Sequence, residues 1–150
     1  MDKRKIWLVA TLCAYALIPA SAKSEEAEVI CLAKNIYFEA RGEEREGRYA
    51  VALVTLRRVE HNRFPNTVCE VVYQRNQFSW YWDGASDEPR DEEAWKEAQL
   101  VAKAVYMVYP ELHDNTNGAL FYKRYDTYSK YFLRLRHLTT IGQHEFFTYD

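Results

Sequence analysis

The first residue that invites a chemical reading is Glu39, in the stretch NIYFEARGEE that runs from Asn35 to Glu44. It follows the bulky Ile36, Tyr37 and Phe38 and stands just before Arg41 and Gly42. From Glu26 to Arg41, Val29, Leu32, Ala33, Ile36 and Ala40 recur at the spacing of one helix face. At about 100° per residue, Glu39 falls beside Leu32, at the edge of that apolar stripe and in the last turn. Partial burial disfavours the ionised form, and the negative end of the helix dipole acts in the same direction. Both raise the carboxyl pKa, which suits a general acid working near neutral pH. The plain alternative is a surface glutamate paired with Lys34 or Arg41. Glu43 and Glu44 read as solvated, with Glu43 a candidate cap for the next helix. Asp83 and Asp126 are the candidates for a second carboxylate, but nothing in the sequence brings either near Glu39.

The elements that must position these residues follow from periodicity and punctuation. Ser24 is the expected N-cap of the first helix and Gly42 its stop. A second helix is predicted over 45–61, with Tyr49, Ala52, Leu53, Leu56 and Val59 inward and Arg57, Arg58 and Glu60 outward; Gly47 weakens its first turn. Asn66 or Thr67 can cap a short helix in TVCEVVYQ. The segment 75–90 reads as an irregular, aromatic-rich loop holding Phe78, Trp80, Tyr81 and Trp82, either a packed lid or the wall of a site. A further helix starts near Asp91, with Trp95, Ala98, Val101, Ala102 and Val105 as its stripe, and ends at Pro110. The strand signal ALFY follows the Asn117-Gly118 turn, and HLTTI and HEFFTY flank Gly142-Gln143 as a hairpin. The fold class is α+β, helical first, with a small antiparallel sheet near the C-terminus.

The chain has 150 residues, so one domain is expected, and 15% of them are aromatic, suited either to a core or to stacking on sugar rings. Its first residues read as a secretory leader: MDKRK is basic, IWLVATLCAYALI is apolar but short for a membrane span, and Ala20 and Ala22 form an A-x-A cleavage signal. The expected division is a leader over 1–22 and a domain over 23–150, exported to the periplasm or the extracellular wall, with no membrane span after cleavage. The whole chain has a net charge of −2, and losing Lys3, Arg4 and Lys5 with Asp2 makes it more acidic, so nucleic acid is not an expected partner. Cys13 lies in the leader, leaving Cys31 and Cys69 as an even pair: a disulfide in an exported domain, or two buried thiols. Were the leader retained as an anchor, Cys13 would be a third thiol able to exchange with that pair. Two cysteines with only His61 nearby in sequence make a poor metal site, and no metal or cofactor is expected.

These residues resemble a known family. CLAKNIYFEARGEEREGRYAVALVTLRRV, then RFPNTVCEVVYQRNQFSW, GALFY and TIGQHEFF follow, in order, the blocks of the spore cortex-lytic (SleB-like) cell wall hydrolases, from about Ile30 to Phe147. The resemblance implies a lysozyme-like, resuscitation-factor-like fold and a lytic transglycosylase; a monomer is expected. Its partners would be peptidoglycan glycan strands, cut at the MurNAc-β-1,4-GlcNAc bond with 1,6-anhydroMurNAc formation. It implies Glu39 as the single catalytic acid and base, and Gln77, Phe78, Ser79 and Trp80, the Q-F-S-W block, as shaping the glycan groove. Trp80 would stack on a sugar or pack in the core, Tyr122 would bond substrate or orient Glu39, and His144 reads as structural. With no separate wall-binding module ahead of the domain, targeting would fall to the catalytic surface itself. A hydrolytic muramidase with a second essential carboxylate, and a non-catalytic peptidoglycan-binding domain, are the alternatives.

Overall fold

The structure, a computed structural model, describes residues 20–150. Residues 1–19 of the expected leader, Cys13 among them, lie outside the described residues. Among the described residues, five helices and three strands follow in order: α1 Ala20–Ala40, α2 Arg45–Glu60, α3 Val68–Val72, α4 Ser79–Trp82, α5 Glu92–Val108, β1 Phe121–Arg124, β2 Arg136–Ile141 and β3 His144–Thr148. A 3-10 turn, Phe132–Arg134, precedes β2. The architecture is α+β, as the sequence predicts.

α1 is the central helix and packs on α2, α3 and α5. Its predicted stripe is its buried face: Leu32, Ala33, Ile36 and Ala40 are sealed against Leu53 and Leu56 of α2, Val68 and Val72 of α3, and Ala98, Ala102 and Val105 of α5. Ser24, expected to cap this helix, lies inside it, because the helix continues back to Ala20. Thr67 caps α3 by accepting from the Glu70 N–H at 3.2 Å, and Asp91 caps α5 by accepting from the Ala94 N–H at 3.0 Å, with Glu92 and Glu93 in its positive first turn. Cys31 and Cys69 form a disulfide, Cα–Cα 5.2 Å, that ties α3 to α1.

α2 departs from the single apolar face expected of it. Every residue from Ala50 to Leu56 is buried, because the helix is sandwiched between α1 on one side and the sheet, through Ala50, Val54 and Phe146, on the other. Arg57 and Arg58 are therefore not outward. Arg57 donates to Thr116 Oγ1 and to the Ala119 carbonyl and pairs with Asp114 at 2.8 Å. Arg58 is buried, donates Nε–H to the Leu120 carbonyl at 2.7 Å, and lies 5.2–5.5 Å from the rings of Phe64, Phe78 and Phe121. The long guanidinium side chains at this helix end reach the carbonyls of the segment that feeds β1.

The sheet is antiparallel with strand order β1-β3-β2. The hairpin expected at Gly142-Gln143 is present, with Ile141 paired to His144. β1 is an edge strand, and its register on β3 sets Tyr122 opposite Phe146 and Lys123 opposite Glu145. Alternation along β1 then separates two faces. Tyr122 and Phe146 pack towards the helices; Phe121 and Phe147 form a second apolar layer with Phe64, Phe132 and Tyr149.

Candidate active site

The end of α1, the segment around α4, and β1 enclose a cleft of about 730 Å³. Glu39, Gln77, Phe78, Ser79 and Tyr122 all line it. These residues are far apart in sequence, and the packing of α1 brings them to one place. Asn35, one turn before Glu39, donates to Thr55 Oγ1 of α2 at 3.1 Å and accepts from the Trp80 indole N–H at 3.4 Å. The Tyr37 hydroxyl accepts from the N–H groups of Arg90 and Asp91 at 3.1 and 3.0 Å, fixing the exit of the aromatic segment against α1. Phe38 stacks on Trp80, centroids 4.6 Å apart and planes 16° apart. The turn of α1 that leads into Glu39 is thus tied to α2 and to the aromatic segment.

Trp80, proposed from sequence to shape the groove, is only 8% exposed, packed on Phe38 and tied to Asn35, and it does not line the cleft. Trp82, which the sequence did not single out for this role, is 52% exposed and does. The physical reason is local: Trp80 and Trp82 share one short helical turn, and residues two apart on a helix point to opposite sides. Asp83 lines the cleft, with Oδ1 engaged by the Ala85 N–H at 2.7 Å. Asp126 does not; it is held in a bidentate pair by Arg124 at 3.1 Å.

Burial pushes the Glu39 carboxyl from its ordinary 4.5 up to about 7, against the nearby Tyr122 hydroxyl and the positive charge of Arg58, which pull it down. Burial is the larger effect, because an ion removed from water loses more than these two neighbours return. The Tyr122 hydroxyl faces Glu39 and Asn35, and burial holds its own pKa well above the usual tyrosine range. It makes no hydrogen bond to either, and its raised pKa keeps it protonated, a donor beside the carboxyl. Arg58, buried, has its pKa lowered by that burial and partly restored by Tyr122 and Glu39.

Glu43 is neither solvated nor a cap. It is buried, accepts from the Gln143 N–H at 3.1 Å, and sits 3.5 Å from Nδ1 of His144. α2 is instead preceded by Glu44, whose side chain makes no capping bond. His144 is buried, borders the cleft, and meets the Tyr122 ring edge-on at 5.4 Å. Burial lowers its pKa more than Glu43 raises it. The Glu43–His144 pair thus packs against the Tyr122 ring, with His144 itself at the cleft wall. The one sequence clue to Glu43 was Gly47, whose lack of a side chain leaves room for it: a Cβ there would lie 2.9 Å from Glu43 Cβ.

The sequence model of the Cell Wall Hydrolase family matches residues 42–147, beginning just after Glu39. The spore cortex-lytic enzyme of Oceanobacillus iheyensis is 31% identical over 120 residues, 79% of this chain and 41% of that protein. That of Bacillus cereus is 35% identical over 120 residues, 79% of this chain and 43% of the relative. The chain thus spans about two-fifths of the length of these relatives. Among solved structures, the catalytic domain of the Bacillus cereus SleB protein aligns with TM-score 0.64 at 31% identity, over 82% of this chain and 91% of that one. The catalytic domain of the germination-specific lytic transglycosylase SleB from Bacillus anthracis aligns with TM-score 0.65 at 31% identity, over 87% of this chain and all of that one. The fold is that of these catalytic domains, and the chain belongs to the cell wall hydrolase family.

Proposed function

We propose that this chain cleaves peptidoglycan glycan strands as a lytic transglycosylase, with Glu39 as its acid and base. One observation carries the proposal: a carboxyl held up to about 7 by burial, at the wall of an open cleft beside a protonated tyrosine. Most glycosidases work with two carboxylates, one as acid and one as base or nucleophile. A transglycosylase needs one group in succession. Glu39, protonated, gives its proton to the glycosidic oxygen as the C1–O bond breaks. The resulting carboxylate takes the proton from the 6-hydroxyl of the same MurNAc, whose oxygen bonds to C1 and closes the 1,6-anhydro ring. Glu39 ends protonated, and no water is consumed. Tyr122 fits the middle of this cycle, since its hydroxyl can donate to the carboxylate that forms after the first proton transfer. Gln77, Phe78 and Ser79 supply the wall along which the strand lies.

The SleB relative from Bacillus anthracis, described as a lytic transglycosylase, supports the same reading. Asp83, at the cleft wall, gives the muramidase reading a specific second carboxylate. In the same proposal the basic and apolar start, with its A-x-A end, directs export to the wall and is removed after Ala22.

Mass spectrometry of the soluble products from purified peptidoglycan tests the proposal. Anhydro-muropeptides are expected, with a loss of about 10²–10⁴-fold in Glu39→Gln. Reducing-end muropeptides that vanish in Asp83→Asn would replace it with the muramidase. Binding without any product, unaltered in Glu39→Gln, would replace it with a non-catalytic wall-binding domain.

A further inference from the structure

The catalytic cleft does not stop at β1. Lys123 and Thr127 border it and also border a second depression of about 420 Å³ on the other face of the sheet. Among the described residues β1 is the edge strand, so a long ligand leaving the cleft there crosses that edge and no further described strand.

That second depression is floored by Phe132 and Phe147, whose rings meet at 4.9 Å. Its rim holds side chains that a core would normally take: Tyr125 is 61% exposed, Tyr128 75% and Leu133 73%. Contiguous exposed apolar surface of this kind marks an interaction site. The rim is braced from within. The Tyr125 N–H is bonded to the Gln143 carbonyl at 2.9 Å and the Thr127 N–H to the Arg124 carbonyl at 3.0 Å. Arg124 and Asp126 close the turn with their bidentate pair. The tyrosines are thus mounted on a turn already in shape, which lowers the ordering cost of binding.

The charge of this region is opposite to that of the protein. In a chain of net charge −2, the segment between Phe121 and His137 carries Lys123, Arg124, Lys130, Arg134 and Arg136; Glu145 and Asp126, both at the depression, pair with Lys123 and Arg124, so Lys130, Arg134 and Arg136 are the cations left to meet a ligand there. Lys130, Arg134 and Arg136 are all exposed. Aromatic faces bind sugar rings through their apolar sides, and exposed cations draw carboxylates.

We infer that this tyrosine-rimmed depression is a second binding site for the glycan strand, continuous with the catalytic cleft across β1, and that its cations meet the stem-peptide carboxylates. The inference rests on the glycan substrate proposed above. It makes the protein a reader of long, peptide-bearing strands, with the wall-binding surface built into the catalytic domain.

The test uses Tyr125→Ser combined with Tyr128→Ser. In a Glu39→Gln background, co-sedimentation with peptidoglycan sacculi should show about tenfold weaker binding than Glu39→Gln alone. Binding by Glu39→Gln should fall with added salt, and fall again on sacculi stripped of stem peptides. In the active protein, the double variant should lose about tenfold on sacculi and stay within about twofold on a soluble tetrasaccharide of the same glycan. Equal binding to sacculi with and without the tyrosines would overturn the inference. Equal losses on both substrates would also overturn it, as would retention of a single-stranded oligonucleotide in place of sacculi. The single variants Tyr125→Ser and Tyr128→Ser repeat the measurement if the double variant melts early. Failure of the parent to release products overturns the catalytic proposal alone, because the sedimentation comparison still reads this surface.

Discussion

Oε2 of Glu43 occupies the place where a Cβ on Gly142 would stand. The same carboxylate is pinned by the Gln143 N–H, faces His144, and has its own Cβ against Gly47. Moving it aside would break the Gln143 contact. Gly142 also has φ +56, a left-handed conformation that favours glycine. Gly142→Ala should therefore destabilise by at least about 2 kcal/mol in urea unfolding, strain and clash together. Gly84→Ala, with φ +77 but nothing within 4 Å, carries the strain alone and should cost about 1 kcal/mol. Equal costs would mean that Glu43 swings aside.

The raised pKa of Glu39 is also a statement about stability. A carboxyl whose folded value, about 7, lies above its ordinary 4.5 favours the protonated folded state. Its stability is fully present below pH 4.5 and is lost as pH rises through 7. Glu39→Gln keeps the shape and removes the titration. The variant should match the parent near pH 4 and exceed it at pH 8 by up to about 3 kcal/mol. Unfolding free energies at the two pH values check this, and an equal difference at both would show that Glu39 is not held protonated by the fold.

Tyr122→Phe tests the other side of the same balance. The Tyr122 hydroxyl beside Glu39 lowers its pKa, so removing that hydroxyl should raise it. A general acid must be protonated to act, and kcat/KM should fall as pH rises past about 7 in the parent. In Tyr122→Phe that alkaline limb should move to higher pH, with a lower plateau because the forming carboxylate loses its donor. A limb that stays fixed while the plateau drops would make Tyr122 a substrate contact alone.

How far the sequence foretold this site depends on the range of the interactions involved. Glu39 was legible because its position follows from one helix, whose stripe needs only residues from Val29 to Ala40. The β2–β3 hairpin was legible because Gly142 and Gln143 announce a turn locally. Glu43 was not, because its burial is imposed by Gln143 and His144, which fold back from the far end of the chain. Arg58 was read as outward because one face of α2 looked sufficient, and only the sheet packed on its other side buries that arginine. Trp80 and Trp82 could not be told apart while their segment was read as irregular.

The disulfide closes a loop of sequence separation 38. Restricting the unfolded chain over that length should contribute about 3–4 kcal/mol on the chain-entropy description. Cys31→Ala with Cys69→Ala should lower the unfolding free energy by roughly that amount. The α1 end that bears Glu39 is separately fixed by Asn35 and Tyr37, so the products should not change in kind. A changed product pattern would tie the α1–α3 bridge to the geometry of the cleft.

Trp80 and Trp82 give the sharpest separation of fold from function. Trp80 is stacked on Phe38 and bonded to Asn35, so Trp80→Ala opens a cavity and should cost roughly 3–5 kcal/mol of stability. Trp82 is half-exposed at the cleft wall, so Trp82→Ala should melt close to the parent. Its effect should appear in KM for glycan, raised roughly five- to tenfold by loss of an aromatic face. Thermal melts and steady-state kinetics on both variants decide. If Trp82→Ala leaves KM unchanged while Trp80→Ala raises it at a temperature where both are folded, the groove is shaped from the core side and Trp82 is only a rim residue.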